Sequence, residues 1–253
     1  MKLPFVIALI FVLGCQQATQ LHEHKKFIIL ISANAEWRVV KSVYPYADCH
    51  STPWGEYFEK DISTPKGIER ILFFHEGWGK VAAAGATQYA IDRWNPDLFI
   101  NLGTCGGFEG SVKRFEVLLI DKTVIYDIKE AMGDSKEAIQ DYSASIDLSW
   151  LNAPDSVRKT VLVSADRDLV PAEIQSLKEK YKAIAGDWET GAIAYTCQRN
   201  QKKLLALRGV SDLVNETGGE AYGKPEVFVN GTETVMKKLL NDLPRWLVIV
   251  NKN

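Results

Sequence analysis

Several short runs of this chain are apolar at nearly every position, with no regular polar alternation. Phe27-Ile-Ile-Leu-Ile, Leu98-Phe-Ile-Asn-Leu and Lys203-Leu-Leu-Ala-Leu-Arg-Gly-Val are the clearest. A strand with one face in water alternates, whereas a strand covered on both faces does not, so these runs predict buried strands. Ile71-Leu-Phe-Phe, Glu116-Val-Leu-Leu-Ile-Asp and Thr160-Val-Leu-Val-Ser extend the set. The segments 33–42, 79–94, 171–181, 190–200 and 227–243 predict helices between and after them. The second is rich in alanine and is stopped by Asn95-Pro96. Strands alternating with helices predict an α/β fold, with a mostly parallel or mixed central sheet and helices on both faces. No repeat, low-complexity run or long internal linker divides the chain.

In such sheets ligands bind at the carboxyl ends of strands. That rule selects Ser32-Ala-Asn-Ala-Glu36, Gly103-Thr-Cys-Gly-Gly107, Ser164-Ala-Asp166 and Gly209-Val-Ser-Asp212. Each is read as a strand end followed by small residues, and three carry a carboxylate. The second is read as a glycine loop that brings backbone close to a ligand.

Composition changes this picture little. The 253 residues are 46% hydrophobic and 25% charged, with a formal net charge of −2. That is ordinary for one sizeable globular domain. Lys and Arg are scattered, so nucleic acid is excluded as an expected partner. The N-terminus differs. Met1-Lys-Leu-Pro-Phe-Val-Ile-Ala-Leu-Ile-Phe-Val-Leu-Gly-Cys15 carries one Lys, an apolar run too short to span a membrane comfortably, then Gly14 and Cys15. It resembles a bacterial lipoprotein signal; a plain signal peptide or an unlipidated anchor is the alternative. That resemblance implies lipidation at Cys15, export to the cell envelope or periplasm, and a membrane held only through lipid. The domain division is then 1–15 signal, 16–26 tether and 27–253 folded domain.

The other cysteines, Cys49, Cys105 and Cys197, make no disulfide framework, and neither they nor the four His show metal spacing. Cys105 reads as a small residue in a tight place rather than a nucleophile. Gly77-Trp-Gly-Lys-Val-Ala-Ala-Ala-Gly85 has its third glycine in the wrong place for a dinucleotide fingerprint. It reads as a turn into a small-residue helix face. There is no P-loop and no Gly-x-Ser-x-Gly elbow.

Phe74-His-Glu-Gly-Trp-Gly-Lys-Val-Ala-Ala-Ala84 followed by Asn95-Pro-Asp-Leu-Phe-Ile-Asn-Leu-Gly-Thr-Cys-Gly-Gly-Phe108 resembles the nucleoside phosphorylase and nucleosidase superfamily. Asp187-Trp-Glu-Thr-Gly-Ala-Ile-Ala194 is similar to its sugar-binding segment, and Arg208-Gly-Val-Ser-Asp212 to its purine segment. Order and spacing match from about Phe27 onward, and the branch most similar is that of the methylthioadenosine/S-adenosylhomocysteine nucleosidases.

The resemblance implies a single domain of nucleoside phosphorylase type that hydrolyses the N-glycosidic bond of purine nucleosides. Asp212 would be the general acid for purine N7, with Ser211 beside it; an Asp capping a turn is the alternative. Glu189 would accept hydrogen bonds from two ribose hydroxyls, or else serve the helix dipole. Trp188 would pack on sugar or base, or join the core. Glu36 would activate water, or merely place charge at a helix start. Thr104, Cys105 and Gly106 would border the sugar and the water. Asp168 and Leu169 would flank the base, in a segment shaped by Asp166, although the family usually carries an aromatic where Asp168 stands. Gly218-Gly-Glu-Ala-Tyr-Gly223 reads as a mobile loop over the 5′ end of the substrate or as an ordinary turn. No metal or organic cofactor is implied, and a homodimer is. The rival readings are a phosphate-dependent purine nucleoside phosphorylase and a non-catalytic nucleoside-binding protein.

Overall fold

The computed structural model describes residues 24–251. The proposed signal and lipidation site, 1–15, and nearly all of the tether lie outside the described residues.

The chain enters through β1 (Phe27–Ile31), buried at all five positions, and passes directly into helix α1 (Asn34–Val43). Strands β2 (His50–Thr52), β3 (Gly55–Thr64) and β4 (Gly67–His75) form an antiparallel extension, and β4 returns parallel to β1. Helix α2 (Gly79–Trp94) has the bounds the sequence predicts; it ends where Asn95 turns left-handed at φ 42°. Next come β5 (Leu98–Phe108), β6 (Val117–Ile125), helix α3 (Ser135–Asp141), β7 (Ala144–Ser145) and β8 (Arg158–Ser164). A 3-10 turn at Pro171–Glu173 leads into α4 (Ile174–Tyr181), because Pro171 suits a first turn but cannot donate within a helix. Strand β9 (Ala183–Asp187), helix α5 (Thr190–Arg199), β10 (Lys203–Asn215), β11 (Gly218–Gly219) and helix α6 (Pro225–Val250) complete the chain. Among the described residues no helix is long and apolar enough to cross a membrane.

The sheet is mixed, in the order β11-β10-β6-β8-β9-β5-β1-β4-β3-β2, with β7 on β6. An additional parallel pairing of β10 with β5 closes the strands β5, β10, β6, β8 and β9 into a ring. The apolar core fills the ring and the space under α1, α2, α5 and α6.

Two expectations need correction. Gly103–Gly107 is not a loop: β5 continues unbroken to Phe108. Nor does Asp212 sit at a strand end, since β10 runs on to Asn215 and is only bulged between Val210 and Asp212. In both cases glycine serves close packing within a strand. A Cβ on Gly103 would stand 1.6 Å from Arg208 Nη1, and one on Gly107 would stand 2.5 Å from Val112 Cγ2. The site is instead placed by a change of neighbour. β5 pairs with β1 through Leu98–Asn101 and with β9 through Gly106 and Gly107. Between these pairings the sheet parts, which is where a ligand crevice forms in open α/β sheets.

Candidate active site

A cleft of about 630 Å³ opens at that parting. It is lined by Glu36, Thr104, Cys105, Gly106, Asp168, Leu169, Trp188, Glu189, Ser211 and Asp212, so every position expected to act or to touch substrate meets in one place. The size suits a small molecule.

Glu36 occupies the first turn of α1 and is only 2% exposed. Its Oε2 accepts from the Ala33 N–H at 3.2 Å, a contact that serves the helix start. Its Oε1 accepts from the Thr104 backbone N–H at 2.6 Å and the Thr104 hydroxyl at 2.8 Å. These bonds hold a carboxyl oxygen at the cleft wall across 68 residues of sequence.

Glu189 caps α5 in position only. Its Oε1 accepts from the Gly79 N–H at 3.0 Å, so it serves the first turn of α2. The start of α5 is bonded by Asp187, whose Oδ2 accepts from the Thr190 N–H at 3.1 Å. Burial, then Asp187 and Glu36, push the Glu189 carboxyl well above the usual range. Hydroxyl donors from a bound diol would favour its ionised form again.

Asp212 follows the bulged Ser211, whose hydroxyl donates to Asp212 Oδ1 at 2.6 Å. Burial raises the Asp212 carboxyl against the pull of that bond. The bulge turns this side chain into the cleft. Cys105 is buried, its thiol lies 3.6 Å from the Gly209 carbonyl, and burial raises it well above the usual thiol range, which disfavours the thiolate.

Trp188 is half-buried and lies 5.3 Å from the ring of Trp78, which is 63% exposed and also lines the cleft. Asp166 does not shape the 167–169 segment by its side chain. Its Oδ1 accepts from the Lys80 N–H at 2.7 Å, beside the Glu189 bond to the same helix start. The segment is held instead by Tyr222, whose hydroxyl donates to the Leu169 carbonyl. The 218–223 stretch is thereby tied to the Leu169 wall, with Gly218 and Gly219 paired to β10.

The sequence places Asp187 in the sugar segment and Arg208 in the purine segment but gives neither a role of its own. Arg208, 1% exposed, donates from Nε to Thr190 Oγ1 at 2.7 Å and from Nη2 to Asn101 Oδ1 at 2.6 Å, with Asp187 Oδ2 3.1 Å from Nε. An arginine inside an otherwise apolar strand was the signal available. Asn34, Arg38, Ala221, Tyr222 and Phe228 also line the cleft. Among the described residues, no group of three or more His, Cys, Asp or Glu is placed to hold a metal ion.

Fold and cleft define an α/β protein with a partly closed mixed sheet and an acidic small-molecule site at its parting. The sequence profile of the phosphorylase superfamily matches residues 51–243, and the chain belongs to that superfamily. It is 29% identical over 169 residues to the 5′-methylthioadenosine/S-adenosylhomocysteine nucleosidase of Thermotoga maritima, spanning 66% of this chain and 76% of that protein. The Staphylococcus aureus enzyme of the same name is 29% identical over 176 residues, spanning 63% and 74%. Among solved structures, the Streptococcus pneumoniae MTA/SAH nucleosidase in complex with 8-aminoadenine superposes with a TM-score of 0.70 at 16% identity, over 88% of this chain and 99% of that one. A mutant Helicobacter pylori nucleosidase with 5′-methylthioadenosine in its active site gives 0.68 at 18% identity, over 87% and 99%. At these identities the structural likeness concerns the fold.

Proposed function

We propose that this protein hydrolyses the N-glycosidic bond of purine nucleosides of the adenosine and methylthioadenosine type, giving free base and ribose sugar. The observation that carries the reading is the convergence of three buried carboxyls, Glu36, Glu189 and Asp212, on one cleft. Each matches one demand of the reaction. Glu36 takes a proton from water as the oxygen bonds to the anomeric carbon. Glu189 holds the two ribose hydroxyls. The bond to the base breaks with its electron pair passing to the purine, and Asp212 delivers a proton to N7. An oxocarbenium-like sugar gains from the surrounding negative potential. The relatives named as nucleosidases support hydrolysis over phosphorolysis.

The test uses the chain from Gln16 with adenosine, inosine or methylthioadenosine, with and without phosphate. Free ribose sugar formed at the same rate without phosphate is the expected result. Ribose 1-phosphate formed only with phosphate would replace this reading by the phosphorylase, with Arg38 at the cleft as the anion's partner. Tight binding without product would replace it by a nucleoside-binding protein.

Export, a lipid anchor at Cys15 and a homodimer belong to the same proposal. The N-terminal pattern supports the first two, and the exposed Trp54, Trp78 and Val81, of which Trp78 lines the cleft, are apolar side chains that a second copy would cover. Radiolabelled fatty acid is expected on the parent chain and not on Cys15→Ala, and sedimentation is expected to give twice the chain mass. An unlabelled parent, or a monomer at micromolar concentration, would remove the corresponding part.

A further inference from the structure

The residues described as buried include five carboxyl groups, Glu36, Glu76, Asp187, Glu189 and Asp212, but a single cation, Arg208. Four of the five have a place above. Glu76 has none: it does not line the cleft, yet it is 0% exposed.

Its surroundings are specific. Glu76 follows β4, and its N–H donates to the Ile31 carbonyl at the end of β1, 3.0 Å away. Its Oε1 lies 2.9 Å from the Ser32 hydroxyl, and its Oε2 lies 3.3 Å from the Thr87 hydroxyl of α2. Ser32 is the first residue of the four-residue step that leads from β1 to Glu36. The charged groups facing Glu76 are Arg208 from β10 and Glu36 from α1, and Cys197 of α5 lies within its field. Among the described residues no cation stands within ion-pair distance of it. Both oxygens are met only by hydroxyls. A hydroxyl donates or accepts, so Ser32 and Thr87 satisfy a neutral acid as well as an anion. Burial of a charge with no paired cation favours the neutral form, and burial pushes this carboxyl to about 8, with Glu36 adding to the rise and the Ser32 hydroxyl, Arg208 and the Thr87 hydroxyl opposing it.

We propose that Glu76 is a positioning residue for Glu36: as a neutral acid it fixes Ser32 and so the turn that aims Glu36, and it leaves Arg208 undivided among Glu36, Asp187 and Glu189. This rests on the hydrolytic role given to Glu36. When Glu76 ionises, its charge draws on the same guanidinium.

Three measurements on the full chain test it, one of which needs no activity. Glu76 is raised in the folded protein above its unfolded value, so its burial weakens folding as pH rises from about 4.5 to about 8. Glu76→Gln, which stays neutral, is expected to melt higher than the parent at pH 8.5, with the difference shrinking towards pH 5. A difference that does not change with pH would overturn the neutral acid. In kinetics, the ratio of the kcat of Glu76→Gln to that of the parent is expected to rise at least threefold from pH 6.5 to pH 9, and a constant ratio would overturn the link to the site. Ser32→Ala is expected to lower kcat about tenfold with KM nearly unchanged; an unaltered kcat would overturn positioning through Ser32. If hydrolysis itself fails, the melting comparison still decides whether Glu76 holds its proton.

Discussion

Asp212→Asn is expected to lower kcat about a thousandfold while KM changes only a few-fold. General acid catalysis contributes on the order of 100- to 10,000-fold, and a leaving purine depends on protonation more than most groups. The substitution changes little else. An amide has the shape of the carboxyl, can keep the Ser211 hydroxyl bond at 2.6 Å, and can still donate a hydrogen bond to N7. What it cannot do is give up a proton. Burial holds the Asp212 carboxyl above its ordinary value, so the parent enzyme carries the acid proton further up the pH scale than an exposed Asp would. Activity that depends on Asp212 is therefore present at lower pH and declines as pH rises through that raised value. The same shift weakens folding with rising pH, because the folded state must then ionise a buried group. The amide does not titrate, so the variant should be at least as stable as the parent in alkaline solution. Steady-state kinetics on methylthioadenosine, with a urea unfolding curve beside them, separates lost chemistry from lost fold. Turnover within fivefold of the parent would remove Asp212 from the role of acid.

Glu36→Gln is expected to cost about a hundredfold or more in kcat, and also some stability. Removing the base leaves water to attack unassisted. The stability cost follows from the bonds. In the parent, Oε1 accepts twice from Thr104 and Oε2 accepts from the Ala33 N–H. A glutamine has one oxygen and one NH2, so whichever way it is turned a donor faces a donor. A buried group left without its partner costs about 1–3 kcal/mol. Nucleoside binding, read by titration calorimetry, is expected to survive, since Glu189 and Asp212 are untouched. A variant that hydrolyses at the parental rate would show that water is activated elsewhere.

The pairing of these residues has a consequence for the whole wall of the cleft. Arg208 is bonded to Thr190, to Asn101 and to Asp187, and Asp187 bonds the start of α5, which carries Glu189 just ahead of it. Glu189 in turn bonds the start of α2. The Glu189 carboxyl is thus fixed by one buried ion pair and two helix starts, which gives it a defined direction before any ligand arrives.

Much of this was legible in the chain. The run Phe27-Ile-Ile-Leu-Ile declares a strand covered on both faces, and Asn95-Pro96 stops a helix because Pro96 disfavours helical backbone before it while Asn95 tolerates a left-handed one. The strand β9, Ala183-Ile-Ala-Gly-Asp187, was not legible: it is short, rich in small residues and has no pattern apart from its neighbours β5 and β8. The polar β3 was missed because it lies toward the sheet margin, where only Phe58 and Ile62 are buried. Glu36, Glu189 and Asp212 were found through a resemblance, since a lone carboxylate at a helix start looks the same whether it caps or catalyses.

The sequence by itself determined the class of fold and most of the strands and helices, and a resemblance picked out the carboxyls that meet at the cleft. Only the tertiary structure decided that β5 and β10 run through their glycines, that the ring closes, and that Asp187 meets Arg208 while Glu76 meets no cation. The reason is physical. Periodicity along a chain records whether each face of one element is buried. It carries no record of which element lies opposite, and a buried charge is settled by what stands across from it in space.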